Sequence, residues 1–125
     1  MSSVLVTGGA GFIGSHTCLK LLENGYDVFV IDSLINSKQN SLDLIKKYHR
    51  EKNPGFENNL YFSKGDIRDC LLINKMFSEA NDFGKKIKAV IHFAGLKSVN
   101  SSIHNPIEYW DNNLCGTISL IKSMK

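Results

Sequence analysis

Val4-Leu5-Val6-Thr7-Gly8-Gly9-Ala10-Gly11-Phe12-Ile13-Gly14 joins three consecutive apolar residues to a glycine-rich run. A short apolar run of this kind predicts a strand buried on both faces. Beyond the glycines, Ile13, Thr17 and Leu21, with Cys18 and Leu22 beside them, recur at helical spacing. The helix stops at Asn24-Gly25, where glycine accepts a left-handed cap. A strand, a glycine loop and a helix in direct succession make a phosphate site, because the helix N-terminus offers unpaired N–H donors and the positive end of its dipole. Gly8 and Gly9 allow the tight turn, Gly11 lets a pyrophosphate approach the backbone, and Gly14 lets the helix pack closely on the first strand.

The alternation then repeats. Val28, Phe29, Val30 and Ile31 form a second apolar run ending on Asp32. Residues 41–50 read as a helix burying Leu44, Ile45 and Tyr48, and 51–59 as a polar loop through Pro54-Gly55. Residues 60–62 make a third strand, closed by Gly65-Asp66. Asp69 N-caps a helix burying Leu72, Ile73, Met76, Phe77 and Ala80, and 81–86 is a loop. Residues 89–93 are a fourth strand. Asn105 caps the last helix, with Pro106 at its first position, and Ile107, Trp110, Leu114, Ile118 and Ile121 share one face. The result is α/β: a doubly wound, Rossmann-like parallel sheet of which these are the first four strands and their helices. Residues 1–125 are expected to be the N-terminal part of such a domain, without a C-terminal substrate domain.

Composition narrows the function. With 125 residues, 42% apolar and 22% charged, the chain fits one globular domain. No stretch approaches the ~20 apolar residues a bilayer needs, and no secretory signal is expected. The net charge of +3 comes mostly from scattered lysines; Lys85-Lys86 and Lys88 lack interleaved aromatics, so nucleic acid is not an expected partner. Cys18, Cys70 and Cys115 are far apart and form no C-x-x-C, which points to a reducing, cytoplasmic setting without disulfides or structural zinc. The histidines show no metal-ligand spacing.

The loop gains specificity from Asp32, an acid at the end of the next strand and about 20 residues on, where it can take both hydroxyls of an adenosine ribose. Its carboxylate would repel a 2′-phosphate, so the cofactor expected is NAD rather than NADP. Asp66-Ile67, after the third strand, can reach an adenine, although a turn aspartate after Gly65 reads almost as well. Phe93, Ala94, Gly95, Leu96 and Lys97 follow the fourth strand at the topological switch point, where open sheets bind ligands. Lys97 can equally be a solvated lysine, and His92 reads as a packed strand residue.

Five segments, LVTGGAGFIGSH, IDSLINS (31–37), GDIRD (65–69), HFAGLKSV (92–99) and PIEYWDNNLCGT (106–117), resemble the extended short-chain dehydrogenase/reductases. The last two are most similar to the nucleotide-sugar hexose 4-epimerases, and the resemblance covers essentially the whole chain. It implies tightly held NAD, a UDP-hexose substrate oxidised and re-reduced at C4, and a homodimer packed through the last helix. Related 4,6-dehydratases, a UDP-glucuronate epimerase, or a non-catalytic NAD-binding fragment are the alternatives. By resemblance, Phe12 and Ile13 lie at the pyrophosphate, with Gly8, Gly11 and Gly14 shaping the loop. Asp32, Ser33, Leu34, Ile35, Asn36 and Ser37 surround the ribose, Asp66 and Ile67 the adenine, and residues 93–97 with Asn112 the rest of the cofactor. Asn112 also reads as a hydrated polar helix position. The family's catalytic Y-x-x-x-K and its serine or threonine are expected after Lys125; Tyr48-His49-Arg50-Glu51-Lys52 has that spacing by chance. The isolated chain is therefore expected to lack activity, to bind NAD weakly and to self-associate through its fourth strand and last helix.

Overall fold

The computed structural model describes residues 2–34, 38–53, 59–96 and 99–124. Strand β1 (Ser3–Thr7) leads through the glycine loop into helix α1 (Phe12–Glu23). Then follow β2 (Asp27–Asp32), α2 (Asn40–Lys52), β3 (Leu60–Lys64), α3 (Cys70–Asp82) and β4 (Ile87–His92). The four strands are parallel in the order β3-β2-β1-β4, with Val4 opposite Val28 on one side and Ala89 on the other. That is the order expected for a doubly wound sheet.

Residue alternation sends the strands' side chains to two cores. Val4, Val6, Val28 and Val30 pack with Cys18, Leu22 and Leu42 under α1 and α2. Leu5, Phe29 and Ile31 pack with Ile73, Met76, Ala80 and Leu120 on the opposite face. Both central strands are buried throughout, which is why their sequence shows no polar alternation. β4 lies at an edge, and Lys88, Ala89 and His92 are exposed. At the N-terminal end of the sheet, Lys85 Nζ donates to Asp27 Oδ1 (3.3 Å) and to the Tyr61 hydroxyl (3.1 Å), tying the loop before β4 to β2 and β3.

Three helical readings need correction. In α1 the buried stripe is Gly14, Ser15, Cys18 and Leu22, while Ile13 is exposed. Small residues face the sheet there because the helix comes close to the glycine loop. In α2 Leu42 is buried and Ile45 packs beside it, whereas Leu44 and Tyr48 are exposed. Asp69 does cap α3, accepting from Leu72 N–H at 3.2 Å. The region after β4 is more elaborate than one helix. Val99–His104 forms α4 and Pro106–Trp110 forms α5; a π-helical turn at Asp111–Cys115 then leads into α6 (Gly116–Ser123). Asn105 sits at the start of α5 but makes no side-chain capping bond.

Burial raises the Cys18 thiol to about 12, since the thiolate would have to form inside the core. Cys70 and Cys115 are exposed. We therefore expect a thiol reagent at pH 8 to modify two cysteines in the native protein and the third only after denaturation. Three equally fast modifications would contradict this packing.

Candidate functional site

The carboxyl ends of β1, β2, β3 and β4 open into one cleft of about 500 Å³. Its near wall is the glycine loop. Gly8 has φ +68°, and a Cβ there would stand 2.7 Å from Ala94 N, so only glycine lets β1's loop lie against the segment after β4. At Gly14 a Cβ would meet Gly8 O at 2.3 Å. Gly14 thus packs the helix on the loop itself rather than on the first strand. At Gly11 the one atom of the described residues near a Cβ would be Gly8 O, at 3.3 Å, and both Gly11 and Phe12 line the cleft. The first N–H groups of α1 have no intrahelical acceptor and meet the cleft at this end. Ser41 Oγ donates to Ala10 O (2.7 Å) and ties the loop to α2.

Asp32 forms the next wall. Its carboxylate accepts from Ala10 N–H (3.0 Å) and from Leu34 N–H (2.8 Å), so the acid and the glycine loop hold one another in place. Leu34 adopts φ +63°, a conformation unusual for a branched side chain and supported here by that bond to Asp32.

Of the residues expected from sequence, the cleft brings together Gly8, Gly11, Phe12, Asp32, Ser33, Asp66, Ile67, Phe93, Ala94, Gly95, Leu96 and Asn112. Ile13, Gly14 and Leu34 do not line it: Ile13 is exposed on α1, Gly14 sits behind the loop, and Leu34 packs against the core. Ile35, Asn36, Ser37 and Lys97 lie outside the described residues. Ser101, Asn105, Glu108 and Tyr109 also line the cleft. They come from α4, from Asn105 before α5, and from the polar side of α5, opposite the apolar face that its sequence period marks. Tyr48 is not a lining residue; Lys52 Nζ sits over its ring at 5.6 Å from the centroid.

Sequence reading also missed how the last wall is held. Asn113 Nδ2 donates to Leu96 O (2.9 Å) and its Oδ1 accepts from Leu96 N–H (2.8 Å), a two-bond clamp on the segment after β4. Behind it runs an ordered chain of bonds. Ala94 N–H donates to Thr7 Oγ1 (3.2 Å), which lies 2.5 Å from His92 Nδ1; His92 Nε2 lies 3.1 Å from Thr117 Oγ1, which donates to Asn113 O (2.6 Å). A neutral His92 protonated at Nε2 satisfies every link, with Thr7 donating to Nδ1. His92 is a strut between β1, β4 and the helix.

The Asp66 carboxylate is held by a single described residue, Arg68. Arg68 donates to it from its backbone N–H (2.9 Å), Nε (3.0 and 3.1 Å) and Nη2 (2.6 Å). Those bonds keep the Asp66 carboxyl below the ordinary carboxylate range, against the opposing effect of partial burial. A lowered folded-state value stabilises the fold above the unfolded value and is lost as pH falls through the folded one. The thermal midpoint of Arg68→Leu should therefore lie below wild type at pH 7, and the gap should close below about pH 4, where an unfolded aspartate protonates. A gap unchanged at pH 2.5 would show that Arg68 acts otherwise.

The sequence profile of the GDP-mannose 4,6 dehydratase family matches residues 5–125. A UDP-glucose 4-epimerase of Klebsiella pneumoniae is 44% identical over 98% of this chain and 79% of its own length. The chain belongs to the UDP-glucose 4-epimerase family. UDP-glucose 4-epimerase 2 of Arabidopsis thaliana is 48% identical over 98% of this chain but only 32% of that protein. Among solved structures, the UDP-glucose 4-epimerase of Bifidobacterium longum in complex with NAD+ and UDP superposes with a TM-score of 0.85. It shares 44% identity and covers 98% of this chain and 33% of that one. The chain thus spans about a third of the length of such family members, and the matched third contains the cleft.

Proposed function

We propose that the protein is an NAD-dependent UDP-glucose 4-epimerase and that these 125 residues are the N-terminal part of its NAD-binding domain. The observation that carries this reading is the meeting of the α1 N-terminus, Asp32 and Asp66 in one cleft. Its order matches the parts of an ADP group: diphosphate at Gly11 and Phe12, ribose at Asp32, adenine at Asp66 and Ile67. The Bifidobacterium relative, solved with NAD+ and UDP, supports the same ligand here.

When bound, NAD would take up a hydride from the hexose C4 and return it. The residues of this chain bind and orient: the α1 N–H groups neutralise the diphosphate, and Asp32 accepts from the ribose hydroxyls and repels a 2′-phosphate. Ala94 and Gly95 are small, and with Ala94 bonded to Thr7 and the next residue, Leu96, clamped by Asn113, they leave room along the β4 side. Tyr109 lines the cleft, but Asn113 stands four residues on where Y-x-x-x-K needs lysine. The catalytic pair accordingly belongs to sequence beyond Lys125, as does the UDP-hexose site. A coupled assay of the full-length protein should show UDP-galactose converted to UDP-glucose. Loss of water from the sugar nucleotide instead would replace this reading with the dehydratase one.

A cytoplasmic homodimer in galactose metabolism completes the proposal. No helix among the described residues is long and apolar enough to cross a membrane. The unpaired Cys70 and Cys115 thiols suit a reducing compartment. Ile107 (83% exposed), Trp110 (67%), Leu114, Ile118 and Ile121 form an apolar stripe along α5, the π turn and α6 that is left exposed among the described residues. The face buried instead carries Asn112, Gly116 and Leu120. In sedimentation velocity, Trp110→Glu combined with Ile118→Glu should convert a dimer into a monomer. A dimer that persists would move the interface elsewhere.

A further inference from the structure

Arg68 does more than neutralise one acid. Its guanidinium grips Asp66 through Nε and Nη2 and turns Nη1 outward to Asp111 Oδ2 at 2.5 Å, on the π-helical turn. The backbone N–H of Arg68 holds Asp66 Oδ1 as well. A carboxylate gripped by a planar fork cannot turn about its own axis, and the fork is itself fixed at its far end by Asp111. Gly116 supports the arrangement, because a Cβ there would stand 2.6 Å from Ile67 Cδ1; the helix can approach residues 67–68 only without a side chain. Asp66 lines the cleft, whereas Arg68 is not among the lining residues.

An ionised carboxylate only accepts hydrogen bonds. Any group placed against it must donate. On a purine, the 6-amino group of adenine donates, while the 6-oxo group of hypoxanthine only accepts and would meet negative charge; the donor of hypoxanthine is the neighbouring N1–H, which a carboxylate fixed opposite the 6-position does not face. We propose that Arg68 is a positioning residue that sets base specificity, holding Asp66 as an acceptor-only group so that the cleft takes a 6-aminopurine and rejects a 6-oxopurine. This rests on the reading of the cleft as the ADP site of NAD. Without the Arg68 side chain the carboxylate keeps only the backbone N–H of residue 68, on Oδ1, and can turn away from the base edge. The 6-amino ligand then loses its partner, the 6-oxo ligand loses its repulsion, and the two affinities converge.

The test compares NAD with nicotinamide hypoxanthine dinucleotide, which differs from it at the purine 6-position, by calorimetry on full-length protein at pH 7. Wild type should bind NAD at least about tenfold more tightly than the 6-oxo analogue, the value of one hydrogen bond exchanged for a repulsion. Arg68→Leu should bring that ratio within about threefold of unity. Arg68→Lys, which keeps the charge and loses the fork, should not restore it. Asp111→Asn, a milder change, should lower it part-way and decides the matter if the Arg68 variants do not fold. A merely structural Arg68 would weaken both ligands equally and leave the ratio unchanged, which overturns the proposal. Equal affinities in the wild type overturn it too. Wild-type protein that binds neither dinucleotide refutes the NAD reading instead.

Discussion

Gly14→Val is expected to yield a protein that purifies without NAD and melts at lower temperature than wild type. Its Cβ would stand 2.3 Å from Gly8 O and 2.9 Å from Gly9 Cα, and both neighbours are backbone atoms of the loop that forms the cleft wall. No side-chain rotation relieves the clash. Either the loop shifts or the first turn of α1 lifts, and in both cases the N–H groups meant for the diphosphate move off target. Overpacking of this kind costs about 1–3 kcal/mol or more in stability. Gly11 separates the two effects, because the space beside it is the cleft rather than protein. Gly11→Val should fold better than Gly14→Val and still exclude the diphosphate. Absorbance of the released cofactor and a thermal melt measure both; a full complement of NAD on the Gly14 variant would mean the loop is misassigned.

The second large effect is expected at Asp32. Asp32→Ala deletes the acceptor of the ribose hydroxyls and strands the N–H groups of Ala10 and Leu34, which the carboxylate now satisfies. Charge-assisted bonds of this kind are worth about 1–3 kcal/mol, so NAD affinity should fall by roughly 5- to 150-fold. NADP should lose less, because the repelling carboxylate is gone. Calorimetry with both dinucleotides gives the two numbers, and unchanged NAD affinity would remove Asp32 from the site.

The sheet was legible because both central strands announce burial on two faces and each ends on a residue with a role, Thr7 at the loop and Asp32 at the acid. The glycine loop was legible because three of its glycines stand where a Cβ would strike backbone or core. Helix faces were less so. Ile13 and Leu44 fit an apolar stripe as well as Cys18 and Leu42 do, and the choice depends on how closely α1 approaches the loop, a tertiary fact. The segment after β4 was least legible. Polar residues form α4, and nothing in Asp111-Asn112-Asn113 marks a π turn, yet that turn sends Asp111 to Arg68 and Asn113 to Leu96 on two different walls. Asn112 was found through resemblance, while Asn113, whose work is to hold backbone, carries no sequence signal.

The assignment of the cleft is tested most directly by a crystal structure of the full-length protein with NAD bound. The expected density places the diphosphate at the first N–H groups of α1, those of Phe12 and Ile13, the adenosine ribose within hydrogen-bonding distance of Asp32, and the adenine amino group at Asp66. A dinucleotide bound elsewhere, or one bound here with its adenine away from Asp66 and its ribose away from Asp32, would contradict it.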